Sequence, residues 1–123
     1  MREIKFEFIF ESGVKGIYSL EDITDPNGAI NFAPIKHKRQ YTGLKDKNGI
    51  EIYEGDIVEG ISRSPKKNYI GKVHFDSIYG SWVIHGYDTE YSHMKFELSI
   101  PLGECRFNIK VIGNIYENPE LMQ

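Results

Sequence analysis

An all-β fold is the class that this sequence predicts, and three observations predict it. Eight Tyr and seven Phe stand against three Met, a bias toward residues that favour strands. Twelve Gly are spread along the 123 residues, so turns recur about every ten positions. The opening Ile4-Lys5-Phe6-Glu7-Phe8 alternates apolar and charged side chains with the period of two that a half-buried strand requires. A chain of this length is one domain, or one domain with an appendage.

In order along the chain, Ile4, Phe6, Phe8 and Phe10 share one face of a first strand, with Glu3, Lys5 and Glu7 opposite and Ile9 as the only break. Ser12-Gly13 permits a turn, and residues 14–18 return as a second strand. Ser19 followed by Asp22 resembles a helix-start pattern, so Leu20–Thr24 is expected to form one short turn of helix. Asp25-Pro26-Asn27-Gly28 ends it. Residues 29–38 show no period, and Pro34 argues against an interior strand, which predicts a connecting segment closed by Lys36-His37-Lys38-Arg39.

The firmest signal is residues 40–58. Two strand-like runs flank Asp46-Lys47-Asn48-Gly49, and Asn and Gly tolerate the positive φ of a tight hairpin turn. Ile50 and Ile52 are expected on one face, with Glu51 and Tyr53 on the other. Gly55-Asp56 then turns the chain, with the Asp56 carboxylate placed to accept a local backbone N–H. Residues 61–68 are polar and read as a loop. Further strands are expected at 69–75, 80–87, 95–100 and 106–116, and the tail after Asn118-Pro119 adds a helical turn. Roughly seven or eight short strands with at most one or two helical turns suit a sandwich or a small barrel.

Composition narrows the function classes. The net charge of −3 supplies no global cationic field for nucleic acid or acidic membranes. Cys105 is the only cysteine, so no internal disulfide forms and a reducing compartment is expected. The N-terminus lacks a signal peptide's apolar core, and no run approaches the ~20 apolar residues of a membrane span. The expected location is the cytoplasm, without a membrane partner.

Two blocks carry a family resemblance. Residues 41–58, YTGLKDKNGIEIYEGDIV, and residues 111–121, VIGNIYENPEL, resemble the paired signatures of the YopX family, small proteins from phages and prophages of Gram-positive bacteria. The start MREIKF is similar to that family's usual opening. Together these segments make up 35 of the 123 residues. Glu7-Phe8-Ile9-Phe10 stands where the family often carries Arg-Ala-Trp-Asp. The resemblance implies a β-rich fold with an SH3-type barrel as its main body: N-terminal strands and a connecting segment at 1–39, then the barrel at 40–123, forming one unit. It implies no assigned activity, and no catalytic residue is carried over from it.

The chemistry-bearing residues support no catalytic constellation. His37, His74, His85 and His93, with Asp76 and Asp88, match no compact metal-ligand spacing, so neither a metal nor any other cofactor is expected. Cys105 lies beside Glu104, which would raise a thiol pKa, and a small buried apolar role suits it better than a nucleophile's. Asp46, Glu51, Glu54 and Asp56 crowd the hairpin, but turn geometry accounts for the two aspartates and solvated strand positions for the two glutamates.

Two functional readings lead, with an enzyme whose site is assembled from scattered residues ranked third behind them. The first is a non-enzymatic phage or prophage accessory protein acting through protein contacts or self-association, with a phage or host protein, or a second copy, as partner. The second is a weak, sequence-tolerant single-stranded nucleic-acid binder using Lys36, Lys38, Arg39, Arg63, Lys66 and Lys67, with Tyr69 as a stacking platform.

Overall fold

In the computed structural model, which describes residues 3–28, 34–63, 66–78, 80–88 and 97–122, nine strands form two antiparallel sheets. The first contains β1 (Lys5–Phe10), β2 (Lys15–Ser19), β3 (Ile35–Lys45) and β4 (Glu51–Tyr53), in the order β2-β1-β3-β4. Its founding feature is the alternation of β1. Phe8 and Phe10 are buried, and Phe6, Tyr18 and Ile23 pack against them. The Phe10 and Tyr18 rings meet edge to face at 6.1 Å, a favoured aromatic geometry. Ile23 reaches this cluster from α1 (Leu20–Thr24), which a capping box starts: Ser19 Oγ accepts the Asp22 N–H, and Asp22 Oδ2 accepts the Ser19 N–H.

The second sheet contains β5 (Asp56–Arg63), β6 (Lys66–Asp76), β7 (Ser81–Asp88), β8 (Glu97–Pro101) and β9 (Ile109–Asn114), in the order β8-β7-β6-β5-β9. Its inner face supplies Val58, Tyr69, Val73, Ile84 and Ile109 to the main core. Ile52 from β4, and Leu102 and Cys105 from α2 (Leu102–Cys105), cover that face. Burying each such aliphatic side chain stabilises by about 1.5–3 kcal/mol. Gly60 is part of the same packing. A Cβ there would lie 2.7 Å from the Tyr69 ring and 2.7 Å from Ile109 Cγ2, so only glycine lets the tyrosine cross the strand.

The β3–β4 hairpin forms as expected, and one aspartate does more than turn chemistry asked. Asp46 Oδ1 accepts the N–H groups of Asn48 and Ile50 at 2.8 and 2.9 Å. Its Oδ2 accepts the Val111 N–H at 2.9 Å, tying the turn to β9. Gly49 takes φ 78°, the left-handed conformation the turn requires. Asp56 likewise fixes its corner, with Oδ2 accepting the Tyr53 N–H at 2.7 Å.

Several expectations are corrected. Residues 35–38 belong to β3 rather than to a connecting segment, because β1 provides the ladder: Ile9 pairs with His37 and Phe8 with Lys38. Pro34 sits just before the strand, where its missing N–H matters little and its carbonyl accepts from Glu11 N at 3.0 Å. The division at 39/40 within the one expected unit falls inside a continuous strand. Residues 61–63 and 66–68 are not loop; they pair with one another as the end of the β5–β6 hairpin. Ile50 is 53% exposed while Ile52 and Tyr53 are both buried, so the predicted facing at this hairpin holds only for Ile52. Helix is more frequent than predicted, with four short segments among the described residues: α2 follows β8, and the 3-10 turn Arg106–Asn108 replaces the start of the last strand. The pairing of the described strands closes neither sheet into a barrel.

Candidate functional site

The two sheets meet at a charged cleft, and cross-strand register builds its floor. Glu7 on β1 stands opposite Ile17 on β2 and opposite Arg39 on β3. Residues directly opposite in antiparallel strands share a face, so Ile17, Glu7 and Arg39 form one row turned away from the phenylalanine cluster. Arg39 Nε and Nη2 both donate to Glu7 Oε1, at 3.1 and 2.7 Å. Arg39 Nη1 donates across the sheet boundary to Asp56 Oδ1 and to the Glu54 carbonyl. Arg39 is only 5% exposed, and its guanidinium also lies 5.5 Å from the centre of the Tyr53 ring.

Electrostatics follow from that burial. Desolvation pushes the Asp56 carboxyl above the ordinary aspartate value, while Arg39 and the Tyr53 N–H pull it back. Arg39 stays protonated: the carboxylates of Asp56 and Glu7 outweigh its desolvation. Above this triad a second pair closes the wall. Lys5 Nζ donates to Glu51 Oε2 at 2.6 Å and sits 4.8 Å over the Tyr41 ring. The hydrogen bond to Glu51 leads the causes that raise its pKa. Tyr53 is pushed up to about 12, first by burial and then by Glu51, so both tyrosines of this wall are neutral at physiological pH.

The resulting cleft encloses about 420 Å³. Glu7, Arg39, Tyr53 and Asp56 form its floor, with Ile17, Ile50, Glu51, Val111 and Asn114 around them. Ile17 and Ile50 are 48% and 53% exposed. On the far side, Asn114 Oδ1 accepts the N–H groups of Tyr116 and Glu117, and Glu117 pairs with Lys15 at 3.0 Å. His37 stacks on Tyr116 with ring centres 4.0 Å apart. Chemically, the floor binds and orients charge. Four donated hydrogen bonds occupy the guanidinium, and both Asp56 oxygens are engaged.

The residues expected to contact nucleic acid are divided by the structure. Strand alternation splits the basic run of β3: Lys38 is exposed on the phenylalanine side, whereas His37 and Arg39 turn toward the cleft. Lys36 is also exposed, beside the irregularity between Ile9 and Phe10. Arg39 is thus corrected from a free cation to a buried clamp. Tyr69, 2% exposed, is corrected from a stacking platform to a core residue, and Gly60 is what makes room for it. Arg63, Lys66 and Lys67 close the β5–β6 hairpin in the other sheet; their side chains lie outside the described residues.

Other expected chemistry is placed as follows. Cys105 is buried in the core, with Sγ donating to the Pro101 carbonyl at 3.4 Å. His74 and His85 lie on β6 and β7 with ring centres 5.7 Å apart, and burial, then His85, lowers the pKa of His74. His93 lies outside the described residues. No group of three or more metal-binding side chains occurs among the described residues, and none of their helices is long and apolar enough to cross a membrane. Sequence reasoning missed Glu7 as the partner of Arg39. The signal was its place on the charged face of β1, which becomes readable only once β3 is known to pair there.

A family model described as YopX protein matches residues 9–123. A crystal structure of protein EF1440 from Enterococcus faecalis is similar to this chain over 100% of both, with a TM-score of 0.54 and 22% identity, a likeness of fold. No curated protein matches the sequence significantly. With the match running from the end of β1 through both sheets to the C-terminal turn, the chain belongs to the YopX family.

Proposed function

We propose that this is a non-enzymatic accessory protein of phage or prophage origin that works inside the host cell through protein contacts, self-association included. The observation that carries the reading is the cleft between the sheets. Its floor is an ion cluster whose members are committed to one another, while Ile17 and Ile50 stand half exposed on the same cleft. A floor whose guanidinium and carboxylates are ion-paired with one another favours binding over catalysis, because among the described residues of the cleft no nucleophile stands beside a base to activate it. Half-exposed isoleucines lining a concave surface are the usual material of a contact site. We read residues 40–123 as the SH3-type body that the family implies, with β1 and β2 added in front; Ile52 in the core of the second sheet and Leu44 packed against it support this.

The test is a photo-crosslinking amino acid at position 50 in producing bacteria, with Glu21 on α1 as the control position. Protein adducts at position 50 and not at position 21 are the expected result. The reading fails if both positions give the same adducts or neither gives any. Light scattering at tens of micromolar then separates self-association from a foreign partner.

A second reading keeps its own support. Lys36 and Lys38 are exposed on β3, and Arg63, Lys66 and Lys67 end a hairpin that runs past its ladders with β7 and β9. Such a basic ribbon suits phosphate contacts by a weak, sequence-tolerant nucleic-acid binder. Fluorescence anisotropy with labelled single strands at low salt tests it; absent or salt-insensitive binding rules it out.

A further inference from the structure

We infer that the cleft seats a cationic side chain of lysine or arginine type, presented by the protein partner, with its charged head on Glu7 Oε2 and its aliphatic stem against Ile17 and Ile50. The inference rests on the contact reading above and names the chemistry of what is contacted. Charge balance is its first support. Glu51 is matched by Lys5, which leaves Glu7, Asp56 and Arg39 on the floor as two carboxylates against one guanidinium. The uncompensated charge has a definite address. Both Arg39 donors that reach Glu7 end on Oε1, and both Asp56 oxygens are used, so Glu7 Oε2 is the one carboxylate oxygen of the triad without a hydrogen bond to a described residue.

The surroundings suit a cation carried on an apolar stem. Glu7 lies on the floor of the cleft with its side chain 16% exposed and so mostly withdrawn from water, where a charge-assisted hydrogen bond is stronger than at an open surface. Ile17 is directly cross-strand from Glu7, so its methyl groups flank any chain that reaches the carboxylate. Ile50 lines the same cleft from the β3–β4 turn, and 420 Å³ falls within the range of sites that hold a small ligand or an extended side chain. Long basic side chains bury their methylenes along apolar surface while the head finds a polar partner, which is the combination this cleft offers. An acidic or neutral polar side chain would meet the unbalanced carboxylate without a compensating charge.

The experiment uses small probes on the full-length protein. N-acetylarginine methylamide and its citrulline analogue, equal in shape and different in charge, are titrated while the methyl resonances of Ile17 and Ile50 are followed by NMR. The expected result is saturable shifts at both isoleucines, with at least tenfold weaker binding of the citrulline probe. In Glu7→Gln, checked to be folded by its NMR spectrum, that preference falls to under threefold. In Ile50→Ser, both probes weaken together and the preference is kept. Equal affinity of the two probes overturns the inference, as does a preference untouched by Glu7→Gln, or shifts confined to other residues. The comparison of probes on the unaltered protein keeps the test decisive even if Glu7→Gln fails to fold. A partner adduct at position 50 together with no arginine preference leaves the contact reading standing and removes only the cationic seat.

Discussion

Replacing Arg39 by methionine is the sharpest perturbation of this structure. The substitution keeps a long apolar stem but leaves Glu7 and Asp56 facing each other across the sheet boundary with no cation between them. Breaking a buried pair by removing one partner costs about 3–5 kcal/mol, a large part of the roughly 5–15 kcal/mol that holds a domain folded. For a chain of this size the melting temperature then falls by roughly 10–25 °C. The pH dependence gives the loss a signature. Burial already raises the folded-state pKa of Asp56, and Arg39 is the largest influence holding it down. Without Arg39 it rises further, so the folded variant takes up a proton more readily than the unfolded chain does. Its stability therefore recovers as pH falls from 7 through the raised pKa, and the recovery is complete below the unfolded carboxyl value of about 4. Urea unfolding followed by Trp82 fluorescence at pH 7 and pH 5 measures both effects. A loss under about 1 kcal/mol at pH 7 refutes the reasoning, and so does a gap to the wild type that stays constant or widens at pH 5. Asp56→Asn retains an oxygen for the Tyr53 N–H; combined with Arg39→Met it should destabilise by less than the sum of the two single changes.

Three further outcomes follow from individual contacts. Asp46→Ala removes the acceptor of three backbone N–H groups, one of them on β9, and should lower unfolding free energy by about 2–4 kcal/mol in urea titrations; a loss confined to a few tenths would contradict the role given to Val111. Gly60→Ala places a methyl 2.7 Å from Tyr69 and Ile109, and overpacking of this kind costs about 1–3 kcal/mol by the same assay, where an unchanged midpoint would count against the packing. Glu117 titrates below its ordinary value, chiefly through the Asn114 hydrogen bond and then through Lys15, so its share of stability is present above the unfolded pKa and fades as pH falls. Carbon-detected NMR should show Asn114→Ala raising that pKa more than Lys15→Ala does; the opposite ranking would assign the shift to the ion pair.

Sequence patterns exposed local structure well and long-range structure poorly, for physical reasons visible in particular residues. The alternation of β1, the Ser19–Asp22 capping box, the Asp46–Gly49 turn and the Asp56 corner are each settled by neighbours within a few positions. Residues 35–38 were illegible because their strand character comes from pairing with β1, about 30 residues away in the chain, and not from their own period. Residues 61–68 read as loop because a ribbon end without a covering layer has no reason to be apolar. The two sheets, rather than one closed barrel, depend on how β3 divides its partners between β1 and β4, which no single segment encodes. The candidate site was the least legible part. Its floor joins Glu7, Arg39 and Asp56 from three strands, and each residue alone has an ordinary local explanation.

Arg39 also decides how far the competing functions stand apart. Counted as a free cation, it joined the basic run of residues 36–39 to a phosphate surface; buried, it leaves Lys36 and Lys38 as the exposed cations of that run. Each phosphate contact with a single strand contributes about 0.7 to the slope of log affinity against log salt. Lys36, Lys38, Arg63, Lys66 and Lys67 therefore bound the expected slope at about 3.5, or about 2 if the hairpin end binds alone. The same guanidinium, by neutralising one of two carboxylates, leaves the cleft with one unbalanced negative charge and so gives it a preference for cations. The two surfaces thus call for partners of opposite charge. A ligand that binds at the cleft has no electrostatic reason to bind at the hairpin, and competition between a polyanion and an arginine probe would mean that one of the two surfaces has been misread.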